Sequence, residues 1–153
     1  MTTLFGEITP EKAEGVIQNI YSGERSLLIS SESGDLYAAL AIHDALREHE
    51  GTTIGTGLVA SSAVFVLLGG AHRYATPNCR FMTHPITTAG EPDATEIEEA
   101  AYMQHQLSHI LTECTSMPWR MAAGLLAEKN IFGLAYAMTV GLVQGVPQTC
   151  GDL

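Results

Sequence analysis

Two hydroxyls interrupt an otherwise apolar run at Gly57-Leu58-Val59-Ala60-Ser61-Ser62-Ala63-Val64-Phe65, where burial alone would favour aliphatic side chains. Thr52 to Val59, rich in β-branched residues and glycine, reads as a strand, and Ala63 to Leu68 as a short buried helix. Ser61 therefore falls at a strand-to-helix junction. The first N–H groups of a helix lack partners within it and carry its partial positive charge, so amides beside a hydroxyl there can stabilise a developing oxyanion. A helix-capping serine fits the same position. Other chemistry-bearing residues point to less. His105 and His109 are spaced to share one helix face but lack a third ligand, and read as a surface pair. Cys79, Cys114 and Cys150 are odd in number, widely spaced and without a CxxC pair, as reduced thiols are; neither a disulfide framework nor structural zinc is expected. The Asp93, Glu96, Glu98 and Glu99 cluster reads as a solvated helix start, where negative charge suits the dipole, and not as a metal site. No metal and no cofactor are expected.

The 153 residues are 46% hydrophobic and 16% charged, enough apolar material for one domain over 1–153 with a core of small aliphatic side chains. A formal net charge of -10 with only 7 Lys and Arg argues against nucleic acid or an anionic membrane as partner, since phosphate-binding surfaces need cations. The N-terminus lacks the charged start and apolar core of a signal peptide, and no apolar run is long enough to span a bilayer. A cytoplasmic protein is expected.

The elements that must position Ser61 follow in order. Thr3 to Ile8 reads as a strand. Thr9-Pro10-Glu11 opens a helix to about Tyr21, with a hydroxyl cap, proline where its missing N–H costs nothing, and an acid at the positive end. Ser26 to Ile29 is a second strand, and Ser30 to Asp35 a polar turn. A helix then starts at Leu36 and ends near Glu50-Gly51. After the Ser61 helix come two short strands, His72 to Thr76 and Arg80 to Thr83, joined by a Thr76-Pro77-Asn78 turn. The second delivers His84, which Pro85 biases toward an extended conformation. Ile86 to Ala89 is extended. Asp93 to about Thr115 is the longest helix, with Ile97, Ala100, Ala101, Leu107, Ile110, Leu111 and Cys114 as its apolar positions. A helix from Ser116 and Pro118 through Leu126, a break at 128–132, a short turn at 134–139, a strand Leu142 to Val146 and a loose tail 147–153 complete the chain. Strands alternating with helices predict a mainly parallel sheet, in which sites form at the carboxyl ends of strands.

Several separated stretches together resemble one family, the ClpP serine peptidases, the proteolytic subunits of the Clp protease. Ile29 to Leu36 stands where that family has a strand followed by Asn-Ser-Pro-Gly-Gly, and Ala38 to Asp44 continues the match. Gly57 to Ser62 matches its nucleophile segment, Tyr74 to Asn78 its Pro-Asn turn, Met82-Thr83-His84-Pro85 its histidine strand, and Ala94 to Glu98 the start of its handle helix. The resemblance covers Thr3 to Val146. It implies the ClpP/crotonase-type ββα spiral, an α/β fold with a protruding handle at about 86–115. It implies Ser61 as nucleophile, His84 as general base, and the backbone N–H groups of Ser33 and Ser62 as oxyanion hole. A peptide or unfolded polypeptide would lie extended between Gly34, Asp35 and Leu36 on one side and Ile86 and Thr87 on the other. A homo-oligomer is implied, since family members stack two heptameric rings through the handle.

The sequence departs from the family pattern in four places. Asn130 stands at the third triad position, where the family has aspartate; an amide can orient an imidazole but brings no charge to stabilise imidazolium, so slow hydrolysis is expected. Glu128 is the nearest acid that could substitute. Glu32-Ser33 replaces Pro-Gly, a cost of roughly 1 to 2 kcal/mol if Ser33 takes a positive φ. Ala71-His72-Arg73 is two residues shorter than the family's hairpin. The chain also begins almost at its first strand, without the axial segment that engages an unfoldase, so the expectation is an ATP-independent or unfoldase-assisted peptidase in a compact, phage-encoded or otherwise reduced version. These departures also fit a catalytically silent structural or assembly subunit. A crotonase-type acyl-CoA enzyme shares the spiral but not the serine and histidine matches.

Overall fold

The computed structural model describes residues 1–148; residues 149–153 of the expected tail, with Cys150, lie outside the described residues. Elements follow in the order β1 (Thr2–Phe5), α1 (Pro10–Tyr21), β2 (Ser26–Ser31), α2 (Leu36–Glu48), β3 (Thr52–Ala60), α3 (Ser62–Leu68), β4 (His72–Ala75), β5 (Arg80–Thr83), α4 (Ala94–Cys114), α5 (Trp119–Ala127), β6 (Asn130–Phe132) and α6 (Leu134–Thr139). The sheet runs β1-β2-β3-β5-β6, with β4 also on β3. All pairings are parallel except β5 with β6. The mainly parallel α/β architecture is therefore as expected.

Local chemistry accounts for the helix starts. Thr9 caps α1 by accepting from the Lys12 N–H at 3.2 Å, with Pro10 at the first position; Asp35 caps α2 through the Ala38 N–H at 2.8 Å, and Asp93 caps α4 through Glu96 N–H at 2.8 Å. Every residue of α3 is buried, so this helix is apolar all round and sits as the central rod of the core. α2 packs on it closely enough that a side chain at Gly69 would meet the His43 backbone at 2.8 Å.

Four expectations need correction, and the two strands joined by the Thr76-Pro77-Asn78 turn have an arrangement of their own: β4 and β5 do not pair with each other. Both lie along β3, β4 opposite Thr52 to Gly55 and β5 opposite Leu58 to Ala60. A bulge in β3 makes this possible: Ile29 pairs with Gly55 but Ser31 with Val59, and Gly57 takes φ 62° where a Cβ would lie 2.8 Å from Ser30 Oγ. The Thr3 to Ile8 strand stops at Phe5, because Gly6 turns at φ 77°, and Ile8 rejoins only as a bridge to Gly34. Leu142 to Val146 is not a strand. Gly145 alone bridges Tyr74, and the Arg73 guanidinium takes the carbonyls of Gly141 and Leu142, at 2.9 and 2.8 Å, that a ladder would use. The first two turns of α4 bury no residue: Ile97 is 56% exposed, and the helix buries only Met103, Leu107, Ser108 and Leu111. β6, read only as a break, is a three-residue antiparallel strand too short to show a period.

Arg73 deserves its burial. Its guanidinium reaches the carbonyls of Gly70, Cys114, Gly141 and Leu142, so one cation closes the carboxyl ends of α3 and α4 where helix dipoles are negative. Cys79 is buried, which pushes its thiol up to about 11. Among the described residues no helix is long and apolar enough to cross a membrane.

His43 is 6% exposed and contacts the Phe65 carbonyl at 2.7 Å through Nδ1. Burial lowers its pKa, opposed by that hydrogen bond. A histidine whose folded pKa lies below its unfolded value is charged more readily in the unfolded chain, so stability falls as pH drops below about 6.5. Replacing His43 by Asn, whose Nδ2 can still donate to Phe65, should flatten the loss of thermal stability between pH 7 and 5, measured by melting at matched protein concentration.

Candidate active site

The site grows from the β3–β5 ladder. Ala60, the last residue of β3, pairs with Met82, and the next N–H, that of Ser61, donates to the Met82 carbonyl at 2.8 Å. Ser61 and His84 thus leave the same rung, one and two residues beyond it, at the carboxyl ends of neighbouring parallel strands. Ser61 then turns sharply: its backbone has φ 58° and ψ -125°, and it makes no side-chain capping bond to α3. Of the described non-glycine residues only it and Glu50 have positive φ. A β-carbon in this region costs of order 1–3 kcal/mol and persists where surrounding packing over-determines it. The fully buried α3 on one side and the β5 rung on the other supply that constraint. The serine is consequently not the ordinary cap that its position alone allows.

Ser61, Ser62 and His84 line one cleft of about 130 Å³ with Gly34, Leu36, Phe65, Thr83, Pro85, Ile86, Thr87, Leu107 and Leu126. The cleft is mostly apolar. Next to it, a groove of about 450 Å³ runs between the start of α2, residues 86–89 and α4; Leu36, Ile86 and Thr87 line both. His84 approaches the Pro85 carbonyl with Nδ1 at 2.6 Å. A carbonyl can only accept, so Nδ1 carries a proton, and in the neutral imidazole the lone pair is then on Nε2.

Of the expected site residues, Gly34, Leu36, Ile86 and Thr87 reach the cleft with the two serines and the histidine. Ser33 and Asp35 do not line it. The Ser33 carbonyl accepts from Ile8 N–H at 3.1 Å and from Ser31 Oγ at 3.0 Å, and Asp35 is spent on capping α2. Ser33 has no positive φ, so the strain expected for a side chain there does not arise. Gly34 is the residue with no room, since a Cβ would meet Ile8 backbone at 2.5 Å. Ser62 is buried, with Oγ donating to the Gly34 carbonyl at 3.4 Å.

Asn130 pairs with Thr83, the residue before His84, but its amide donates at 3.1 Å to the carbonyls of Leu125 and Glu128; no hydrogen bond joins it to His84. The Glu128 side chain is exposed. Thr83 Oγ1 also donates to the Leu125 carbonyl, at 2.9 Å. Gln104, not expected at the site, bridges two parts of it: Oε1 accepts from Ile86 N–H at 3.0 Å and Nε2 donates to the Leu126 carbonyl at 2.8 Å. A signal for it existed, because Gln104 falls at helical spacing between Ala100 and Leu107, a polar residue on an otherwise apolar face. The expected histidine pair divides: His105 lies against Trp119, ring centroids 4.8 Å apart, while His109 pairs with Glu113 at 3.0 Å.

The family model described as Clp protease matches residues 3–149, nearly the whole chain and every element that builds this cleft. With a mostly parallel sheet and a serine at the strand-to-helix turn beside a histidine strand, the chain belongs to the Clp protease family.

Proposed function

We propose that the protein is a serine endopeptidase acting on small or unfolded polypeptides, with Ser61 as nucleophile and His84 as general base. The observation that carries this reading is the turn at Ser61, strained and uncapped, in the same cleft as an imidazole whose Nδ1 is engaged by a backbone carbonyl. Ser61 Oγ attacks the scissile carbonyl carbon while its proton passes to His84 Nε2. The tetrahedral oxyanion is received by the backbone N–H of Ser62 at the start of α3; Ser33, expected as the second donor, does not line the cleft. Collapse breaks the C–N bond, and His84 returns the proton to the departing amine. Water, deprotonated by His84, then cleaves the acyl ester and regenerates Ser61. Asn130 supports the end of β5 through its pairing with Thr83 and its bonds to the end of α5.

The substrate would lie extended from the cleft into the adjoining groove, beside residues 86–89, which enter no strand pairing and leave backbone groups for a peptide. Leu36, Phe65, Leu107 and Leu126 favour an apolar side chain at the cleaved residue. Ring assembly through α4, as a heptamer and a double ring, belongs to the same proposal and is supported by the exposed Ile97 and Tyr102. The second reading, a silent assembly subunit, is favoured by one observation, an amide at the position where this family carries aspartate.

A fluorophosphonate probe separates the two. Labelling of the assembled wild-type protein that disappears in Ser61→Ala is expected; an assembled particle that never labels would favour the silent subunit. The strain is tested separately. Ser61→Gly should also abolish labelling, yet melt about 2–4 °C above Ser61→Ala, since glycine relieves about 1 kcal/mol of backbone strain net of its greater unfolded freedom. Equal melting temperatures would mean the turn stores none.

A further inference from the structure

We infer that the third catalytic role, holding the imidazole, is filled by the Pro85–Ile86 peptide group, and that Gln104 is the positioning residue that fixes this peptide. The inference rests on His84 acting as the base. Its basis is one continuous chain of hydrogen bonds. His84 Nδ1–H donates to the Pro85 carbonyl at 2.6 Å. The other end of that same peptide plane, the Ile86 N–H, donates to Gln104 Oε1 at 3.0 Å. Gln104 Nε2 in turn donates to the Leu126 carbonyl at 2.8 Å, one of the final carbonyls of α5 that have no partner inside the helix.

Each link has one polarity. A carbonyl only accepts and a backbone N–H only donates, so the network fixes both the Gln104 amide orientation and the histidine tautomer. Hydrogen bonds in series polarise one another, so an N–H engaged by Gln104 makes the Pro85 carbonyl a better acceptor. The same end of α5 receives Thr83 Oγ1 and Asn130 Nδ2 on Leu125. The residue before His84 and the peptide after it are therefore anchored to one point. Asn130 holds the first of these anchors; the ring itself is held by the second. A neutral peptide here orients the imidazole without the negative charge of a carboxylate, which fits a slow hydrolase.

Gln104→Leu removes both bonds, and Gln104→Glu keeps an acceptor for Ile86 N–H while losing the donor to Leu126. Two readouts are needed: the rate of Ser61 labelling by a fluorophosphonate, and the His84 tautomer by solid-state 15N NMR of histidine-labelled protein, assigned with His84→Gln. Wild type should hold His84 as a single Nδ1–H tautomer. Gln104→Leu should give a tautomer mixture and slow labelling by roughly ten- to a hundredfold, while Gln104→Glu restores the single tautomer and most of the rate. A single Nδ1–H tautomer in Gln104→Leu would overturn the proposal, as would a mixture in Gln104→Glu that still melts as wild type. Should wild type never label, the peptidase reading fails, and the tautomer comparison still decides the role of Gln104.

Discussion

One hydrogen bond ties the two halves of the site together, the 2.8 Å contact from the Ser61 N–H to the Met82 carbonyl. It closes the last rung of the β3–β5 ladder, the Ala60–Met82 pair. Parallel neighbours lie about 4.8 Å apart, so a gap of 23 positions along the chain closes to adjacent strand ends. A slip of one residue in this register would send either Ser61 or His84 to the opposite face of the sheet. The register itself depends on the bulge in β3, where Gly57 alone tolerates both the positive φ and the approach of Ser30. Without that bend β3 would present one edge to one partner, and β5 would have no place beside the serine.

Strain and burial work against each other at Ser61 and reach a balance through α3. A serine at φ 58° would relax if the following helix could shift. It cannot, because every residue of α3 is buried and α2, β2, β3, β5 and α4 all pack against it. The carboxyl end of that helix is held as well, by the buried Arg73 on Gly70. The scaffold's stability thus lies in the small-residue core, and the Ser61 hydroxyl stands where that core holds the backbone outside its preferred range.

Much of this was legible in the residues because local chemistry and tertiary outcome agree. Thr9-Pro10 and Asp35 announce helix starts that need no tertiary help, and the Ser61 junction is visible as polarity inside an apolar run. What stayed hidden depends on long-range contacts. The fate of Leu142 to Val146 turns on a guanidinium almost seventy positions earlier that occupies its carbonyls. The strand character of Asn130 to Phe132 comes from β5, not from any period of its own. The roles at the histidine are the sharpest case: the family pattern draws the eye to Asn130, whereas the hydrogen bonds run through Pro85, Ile86 and Gln104. A backbone carbonyl has no sequence signature, so only coordinates reveal that it faces Nδ1. Ser33 erred in the other direction, its expected strain vanishing because the chain puts the tight approach at Gly34.

The central claim is that Ser61, His84 and the first amide of α3 converge on one reacting carbon. A crystal structure of the protein after reaction with a small fluorophosphonate tests it most directly. The account expects a covalent bond from Ser61 Oγ to phosphorus, His84 Nε2 within about 3 Å of that oxygen, and the phosphoryl oxygen within about 3 Å of the Ser62 N–H. An adduct on another residue, or on Ser61 with the imidazole turned out of the cleft and the phosphoryl oxygen in solvent, would contradict it.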